Sequence, residues 1–250
     1  MKIKRAVVLA AGKGTRMKSD LPKVLFPVCG KPMIEYVLDA LIRAGIDEIL
    51  VVVGFKSDLV RSALAHYPNL VFAEQTVQRG TGHAIMVCRD LLQKADGPIF
   101  VVAGDSPMIQ SDTVQKLFEE FDSTAEKGSP SCLLGTICKE NPFGMGRILR
   151  DEQGNFRGIV EEKDATDAQK AIREINMSYY VFDCAEMLES LDELKTDNAQ
   201  NEYYITDIPR IMLEKGKNVL ALPILKEIEC LGVNTPADLE IVQQAMQSNG

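Results

Sequence analysis

Histidine is scarce in this chain, with only His66 and His83 among 250 residues, and the six cysteines, at 29, 88, 132, 138, 184 and 230, form no CxxC pair. The usual zinc spacings are thereby excluded. No apolar run approaches the roughly 18 residues of a membrane span, and the start, Met1-Lys2-Ile3-Lys4-Arg5, lacks the long apolar stretch of a secretory leader. With thiols expected to stay reduced and mostly buried, these absences point to the cytoplasm. A formal charge of −8 works against non-specific binding to nucleic acid or to an anionic membrane, so any phosphate must be recognised by local cations. Two common phosphate motifs are also missing. No stretch supplies GxxxxGK followed by Ser or Thr, and Met17 stands where a third glycine would complete GxGxxG after Gly12 and Gly14.

What is present is an apolar run, Ile3 to Ala11, that breaks into Gly12-Lys13-Gly14-Thr15-Arg16, with a second cation, Lys23, in Asp20-Leu21-Pro22-Lys23-Val24-Leu25. A buried strand ending in a glycine-rich loop lets backbone N–H groups approach phosphates, because glycine has no side chain in the way and tolerates positive φ. Two cations beside such a loop point to a polyphosphate substrate. Taken alone, Gly12 to Arg16 also fits an ordinary glycine-rich turn with solvated basic residues.

Through the first half, strand and helix signals alternate, the pattern of a parallel sheet with helices on both faces. Strands are expected over 5–11, 49–53, 70–72, 99–103 and 131–137. Helices are expected from Pro32 to Gly45, with Met33, Ile34, Val37, Leu38, Leu41 and Ile42 on one face, and over 56–66, 82–93 and from Ser111. Beyond residue 140 the rhythm changes. Segments 147–150 and 156–160 flank a turn at Asp151 to Gly154, which predicts a small hairpin over one end of the sheet that could wall a sugar pocket. A long strand over 174–182, a helix over 205–215 and a strand over 219–223 follow. Thr235-Pro236-Ala237-Asp238 supplies a cap, a first-turn proline and an acidic third position, so a last helix starts there. The chain reads as one α/β domain of 250 residues with 46% hydrophobic content. Its nucleotide-binding part is expected at about 1–140, its sugar-binding part at about 141–234, and its last helix at 235–250.

Val101-Val102-Ala103-Gly104-Asp105 is a buried strand ending in Gly-Asp, and open α/β sheets bind ligands at the carboxyl ends of their strands. Asp105 is thus delivered to the edge that carries the Gly12 loop. One carboxylate beside phosphates suits Mg²⁺, which keeps several waters and takes other oxygens from the substrate; a turn aspartate before Ser106-Pro107 is the simpler alternative. Asn234, between a strand end expected near Leu231 and the Thr235 cap, can offer a carbonyl oxygen to the same ion, although on its own it fits an ordinary capping turn better, since asparagine is common at such junctions. Nothing in this set needs a general base if the nucleophile is already an anion. A sugar 1-phosphate is one, and catalysis then reduces to aligning it with a nucleotide α-phosphorus and neutralising developing charge. Arg16 and Lys23 would stabilise the transition-state oxygens and the departing pyrophosphate.

LAAGKGTRM from Leu9, DLPKVL from Asp20, GTGHA from Gly80, GDSP from Gly104, GIVEEKDAT from Gly158, EYYITDI from Glu202 and GVN ending at Asn234 together resemble the sugar-nucleotide pyrophosphorylases, in particular the uridylyltransferase domain of bacterial N-acetylglucosamine-1-phosphate uridyltransferases. The resemblance runs over nearly the whole chain. It implies a Rossmann-like, mostly parallel sheet flanked by helices, UTP and N-acetylglucosamine 1-phosphate as substrates, Mg²⁺ as cofactor, and UDP-N-acetylglucosamine as product. Through the matching motifs it implies that Leu9, Ala10, Ala11, Gly12, Gly14, Gly80 and Thr81 hold the nucleotide. Ala103, Gly104 and Asp105 would lie along the pyrophosphate and metal, with Asn234 completing the metal shell, and Gly146, Glu161 and Asn176 would contact the sugar. Phe72 stands where the family usually has a glutamine, and the stretch from Gln75 to Gly80 is longer, so Gln75 or Gln78 is expected to read the uracil edge. Met177-Ser178 replaces the usual Thr-Gly. A related nucleotidyltransferase with another base or sugar 1-phosphate, or a non-catalytic sugar-nucleotide-binding protein, is the alternative. The acetyltransferase β-helix of the bifunctional family is not expected within these residues. Read without the resemblance, Glu161 also fits a solvated charge in the run to Asp164, His83 a structural role, and Tyr203 and Tyr204 packing beside the site.

Overall fold

Strands covered on both faces read as continuous apolar runs, which is the character of Ala6-Val7-Val8, Ile49 to Val53 and Ile99 to Val102. A computed structural model of the chain describes residues 3–123 and 129–248. Residues 1–2, part of the start read above, and 249–250, the end of the expected last helix, lie outside the described residues. The elements of the first half are β1 (Arg5–Leu9), β2 (Pro27–Val28), β3 (Lys31–Pro32), α1 (Met33–Arg43), β4 (Glu48–Val53), α2 (Ser57–Ala63), β5 (Leu70–Glu74), α3 (Thr81–Met86), α4 (Arg89–Leu92), β6 (Pro98–Ala103) and α5 (Ser111–Ser123). They are followed by β7 (Cys132–Cys138), β8 (Gly146–Arg150), β9 (Phe156–Val160), α6 (Asp167–Lys170), β10 (Glu174–Asp183), α7 (Cys184–Ser190), α8 (Ile208–Glu214), β11 (Val219–Leu222) and α9 (Pro236–Ser248).

The main sheet runs β11-β7-β10-β6-β1-β4-β5, with β8 attached to β10 and β9 to β8. Its β6-β1-β4-β5 portion is parallel, whereas β10 lies antiparallel to both β6 and β7. The sheet is therefore mixed and mostly parallel, an α/β architecture. Alternate side chains of each buried strand enter opposite layers. Val7, Leu50, Val52, Val101, Leu134 and Tyr180 pack under α3, α7 and α8, while Ala6, Val8, Ile49, Val51, Phe100 and Val102 pack under α1, α2 and α5.

The hairpin over 147–160 forms with its turn at Asp151, whose Oδ1 accepts from Gln153 N (3.0 Å) and Asn155 N (2.8 Å). It does not merely lie over the sheet, since Arg147 and Asn176 fall on paired strands β8 and β10. Four expectations need correction. Ile42 is 49% exposed, because its position on α1 turns away from the sheet while Ile34, Val37, Leu38 and Leu41 face it. The helix expected over 82–93 breaks in two where Cys88 N donates to Ile85 O (2.9 Å), a tightened turn. The helix expected from Ile205 opens as a 3₁₀ turn, Ile205–Asp207, and becomes α-helical only at Ile208. No strand ends near Leu231; a 3₁₀ turn, Glu227–Cys230, precedes Asn234 instead. Among the described residues no helix is long and apolar enough to cross a membrane.

Candidate active site

The apolar run ends where β1 leaves the sheet, and its continuation is held there by the strands on either side. Ala10 N donates to Val52 O (2.8 Å), Gly104 N to Leu9 O (2.9 Å) and Phe55 N to Ala11 O (3.1 Å). Ala10 and Ala11 are buried while Gly12 is exposed, so the chain surfaces at the glycine. Gly14 then adopts a left-handed backbone (φ 64°), and a Cβ at that position would stand 2.5 Å from Lys23 Cβ. Glycine at 14 is what allows Lys23 to lie against the loop. Thr15–Met17 closes as a 3₁₀ turn that turns Met17 inward and leaves Arg16 exposed.

Four side chains from distant parts of the sequence meet at this edge. Lys23 Nζ donates to Asp105 Oδ2 and to Asn234 Oδ1 (2.8 Å), and Arg16 Nη2 donates to the same Asn234 Oδ1 (2.8 Å). A carboxylate oxygen and an amide oxygen thus converge on one positive point. Hard oxygen donors so disposed suit a small divalent cation that takes its remaining ligands from water and phosphate, so Asp105 and Asn234 fit Mg²⁺. Among the described residues no group of three or more His, Cys, Asp or Glu could hold a metal ion by themselves. Beneath these groups lies a small core of Met17, Val28, Met33, Met108, Val233 and Val242. Met17 follows Arg16, Met108 follows the Asp105 turn, and Val233 precedes Asn234, so one apolar cluster anchors three of the loops that carry the charges. Asn234 is further fixed at the start of α9, where Asp238 Oδ2 accepts from Asn234 N (2.9 Å) and Thr235 N (2.8 Å) and Thr235 Oγ1 accepts from Asp238 N (3.3 Å). A cavity of about 370 Å³ opens between this turn and the 139–145 loop, lined by Arg16, Asn234, Phe143 and Ile241.

Gly80 and Thr81 sit at the start of α3, which follows β5, three strands along from β6, at the sheet end where Asp105 also lies. Gly80 has φ 103°, and a Cβ there would lie 2.4 Å from Tyr203 O. Tyr203 N donates to Arg79 O (2.8 Å), Gly82 N to Tyr203 O (2.7 Å) and Ile205 N to Thr81 Oγ1 (3.1 Å), which explains the packing role read for the EYYITDI segment. Gln75 is only 3% exposed, and its Nε2 donates to Gly80 O (3.0 Å) and His83 Nδ1 (3.0 Å). Its amide N–H groups therefore serve the loop from within. The bond to Nδ1 requires a neutral imidazole, and burial, then the positive charge of Arg79, hold His83 below the ordinary histidine range. Gln78 Nε2 donates to Gln75 O (3.0 Å), and both atoms crowd Gly54, where a Cβ would meet Gln78 Nε2 at 2.6 Å, Gln75 O at 2.8 Å and Ala11 Cβ at 2.9 Å. Phe72 is not turned to this edge as a polar partner; the Arg61 guanidinium lies 4.8 Å from its ring.

On the far side, Gly146, Glu161 and Asn176 come together. A methyl group at 146 would stand 3.5 Å from Glu161 Oε1 and 3.6 Å from Asn176 Cβ. Because β10 is antiparallel to β6, its N-terminal half extends past the end of β6, toward the edge where Asp105 sits. Asn176 Nδ2 donates to Tyr180 Oη (2.7 Å) and its Oδ1 accepts from Ser178 N (3.1 Å), across a bulge in which Ser178 has φ 59°. Ser178 thus keeps a left-handed backbone at the position where the family usually has glycine. Burial, and then the nearby Asp164 and Asp207, hold the Glu161 carboxyl above the usual carboxylate range against a hydrogen bond from Thr206 and the charge of Arg147.

A model of the MobA-like NTP transferase domain matches residues 6–200. The chain belongs to that family. It is 42% identical over 244 residues to the bifunctional protein GlmU of Clostridium novyi (strain NT), covering 98% of this chain and 52% of that protein. It is 43% identical over 244 residues to the bifunctional protein GlmU of Lactobacillus gasseri, covering 98% and 52%, and 41% identical over 242 residues to that of Geobacillus sp. (strain WCH70), covering 97% and 51%. The chain spans about half the length of these curated relatives. The NTP transferase match includes the phosphate loop, Lys23, Asp105 and the Gly146, Glu161 and Asn176 group, and stops short of Asn234.

Arg147, Thr206 and Glu229 escaped the sequence reading. Arg147 is 1% exposed and its Nη2 donates to the half-buried Glu162 Oε2 (2.7 Å), which also accepts from Gly144 N (3.1 Å), so an ion pair with a buried guanidinium fixes the loop leading into Gly146. Only its place in an apolar β segment marked it as inward-facing.

Proposed function

We propose that this chain transfers a uridylyl group from UTP to N-acetylglucosamine 1-phosphate, giving UDP-N-acetylglucosamine and pyrophosphate. The observation that carries this reading is the meeting of Arg16, Lys23, Asp105 and Asn234 at the end of β1 and β6. A phosphate oxygen of the sugar 1-phosphate forms a bond to the α-phosphorus of UTP while the bond from that phosphorus to the bridging oxygen breaks in line, and pyrophosphate leaves with the electron pair. The nucleophile is already anionic, so no proton has to be removed and no side chain acts as a base. The backbone from Leu9 to Gly14, with Ala103 and Gly104, approaches the phosphates, and Gly80 and Thr81 border the nucleoside. Gln78 Nε2 and Gln75 O both crowd Gly54 beside Ala11, and one of these two glutamines reads the base edge. Lys23 and Arg16 hold oxygens whose charge grows in the transition state. Gly146, Glu161 and Asn176 orient the sugar so that its phosphate faces the α-phosphorus. Mg²⁺ held by Asp105 and Asn234 would supply charge neutralisation between neighbouring phosphates.

Phe72 and the Met177-Ser178 pair favour a second reading, the same chemistry on another base or sugar 1-phosphate. One experiment separates the two. Incubation with Mg²⁺, each of the four nucleoside triphosphates and a panel of sugar 1-phosphates, followed by pyrophosphate release and chromatography of the nucleotide sugar, should give the highest kcat/KM for UTP with N-acetylglucosamine 1-phosphate. Faster turnover of another pair would replace the substrate assignment, and turnover of none would remove the transferase reading.

A further inference from the structure

Glu229 is a carboxylate 1% exposed that lies on none of the surfaces described above. Its Oε1 accepts from Gln110 N (3.0 Å), and its Oε2 accepts from Thr113 Oγ1 (2.9 Å) and from Lys226 N (2.9 Å). A charge so far from water is retained only where its bonds are needed, because burying a carboxylate is costly. Its partners show what they are needed for. Gln110 ends the turn that begins at Asp105, and Thr113 lies in the first turn of α5 that follows it. Lys226 opens the 3₁₀ turn that runs into Leu231 to Asn234. Two of the three hydrogen bonds, from Gln110 N and Thr113 Oγ1, cross from the segment bearing Asn234 to the segment that follows Asp105, and the third, from Lys226 N, holds the carboxylate within its own turn. An ion pair from Lys226 Nζ to Asp112 Oδ2 repeats the tie at the surface. No other buried carboxylate among the described residues bridges these two segments.

We propose that Glu229 is a positioning residue for metal binding, setting the separation of Asp105 and Asn234 before any ion arrives. The proposal rests on the reading that these two residues hold Mg²⁺. A pair of ligands on independent loops must lose the freedom of both on binding, whereas a pair fixed in advance does not. Glu229 touches neither substrate nor ion and acts only through the two loops.

The test uses the full chain, with Mn²⁺ as an EPR-visible probe titrated in the presence of UTP and without sugar phosphate, so that no turnover is involved. Glu229→Gln cannot accept all three bonds, and Thr113→Val removes a single one, a milder change should the first variant fold poorly. Losing one bond to a buried carboxylate should weaken Mn²⁺ binding about five- to tenfold, more in Glu229→Gln than in Thr113→Val. Backbone hydrogen exchange in the metal-free protein should quicken over 231–235, with α1 unchanged. Either variant folded, with Mn²⁺ affinity within about twofold of the unmodified chain and exchange unaltered, would overturn the proposal. Asp105→Asn separates the two levels of inference. If it leaves Mn²⁺ binding intact, the metal reading itself falls and takes the proposal with it; if it abolishes binding while Glu229→Gln does not alter it, only the positioning role is lost.

Discussion

The proposed function asks two things of the side chain at position 23, that it lie close to the Gly12 loop and that it be positively charged. Gly14 permits the first, and the side chain, only 11% exposed against the loop, brings an ammonium to Asp105 and Asn234. If Lys23 stabilises charge that grows only in the transition state, Lys23→Ala should lower kcat by about 10²–10³, or roughly 3–4 kcal/mol, by analogy with removal of one oxyanion donor. Steady-state kinetics check this, and a loss confined to KM would contradict it. His83 makes a second prediction at this scale. Its imidazole is held below the ordinary range, so an unfolded chain takes up the proton near about pH 6.5 while the folded chain does so only at lower pH. Between those values the unfolded state binds more protons, and stability falls as pH drops through that window and is level above it. Protonation at Nδ1 also removes the acceptor for Gln75 Nε2, which loosens the Gly80 loop. Thermal melts from pH 7.5 to pH 5 should therefore show a steeper decline for the unmodified chain than for His83→Gln; identical slopes would contradict the assignment.

Among the elements, α3 depends most on one backbone position. Gly80→Ala must hold a left-handed φ and place a methyl against Tyr203 O, so it should cost at least about 1–3 kcal/mol and weaken nucleotide binding. Gly154→Ala, also at positive φ but with nothing within 4 Å of the added methyl, should cost only about 1–2 kcal/mol and leave binding alone. Denaturant unfolding of both variants, read beside UTP titration, checks the contrast. How much of this was legible beforehand follows from which signals are local. The apolar runs of β1, β4 and β6 and the turn of the β8–β9 hairpin are written in adjacent residues, and so were read within a residue or two. The break between α3 and α4 was not, because it rests on Cys88 packing into the core. The helix α7, Cys184–Ser190, went unread because it follows β10 without a loop, its only break being Asp183, whose Oδ1 caps Glu186 N (3.0 Å). The chemistry-bearing residues were visible as motifs, but the small core of Met17, Met108 and Val233 that gathers them joins residues far apart in sequence. Glu229, inside Lys226-Glu227-Ile228-Glu229, carries the local pattern of a solvated charge; only the tertiary structure buries it.

For the molecule as a whole, the position of β10 decides how the hairpin relates to the parallel portion of the sheet. Its C-terminal half pairs with β6 in the parallel portion, and its N-terminal half pairs with β8 of the hairpin that carries Gly146. The hairpin with Gly146 and the strands that end at the Gly12 loop and Asp105 thus share one sheet. Calorimetry should accordingly show one cooperative unfolding transition, whereas two separable transitions would mean that residues 141–234 fold as a unit of their own. The same continuity brings cations near the N-terminus, a carboxylate at 105 and an amide at 234 together at one end of the sheet, where the proposed function has them act on a single ligand. A crystal structure with Mg²⁺ and a UTP analogue that cannot be cleaved between its α- and β-phosphates tests this most directly. It should place the phosphates against Arg16, Lys23 and the Gly12 loop, with the ion on Asp105 and Asn234. A triphosphate bound away from these groups, or an ion on other side chains, would contradict the shared site.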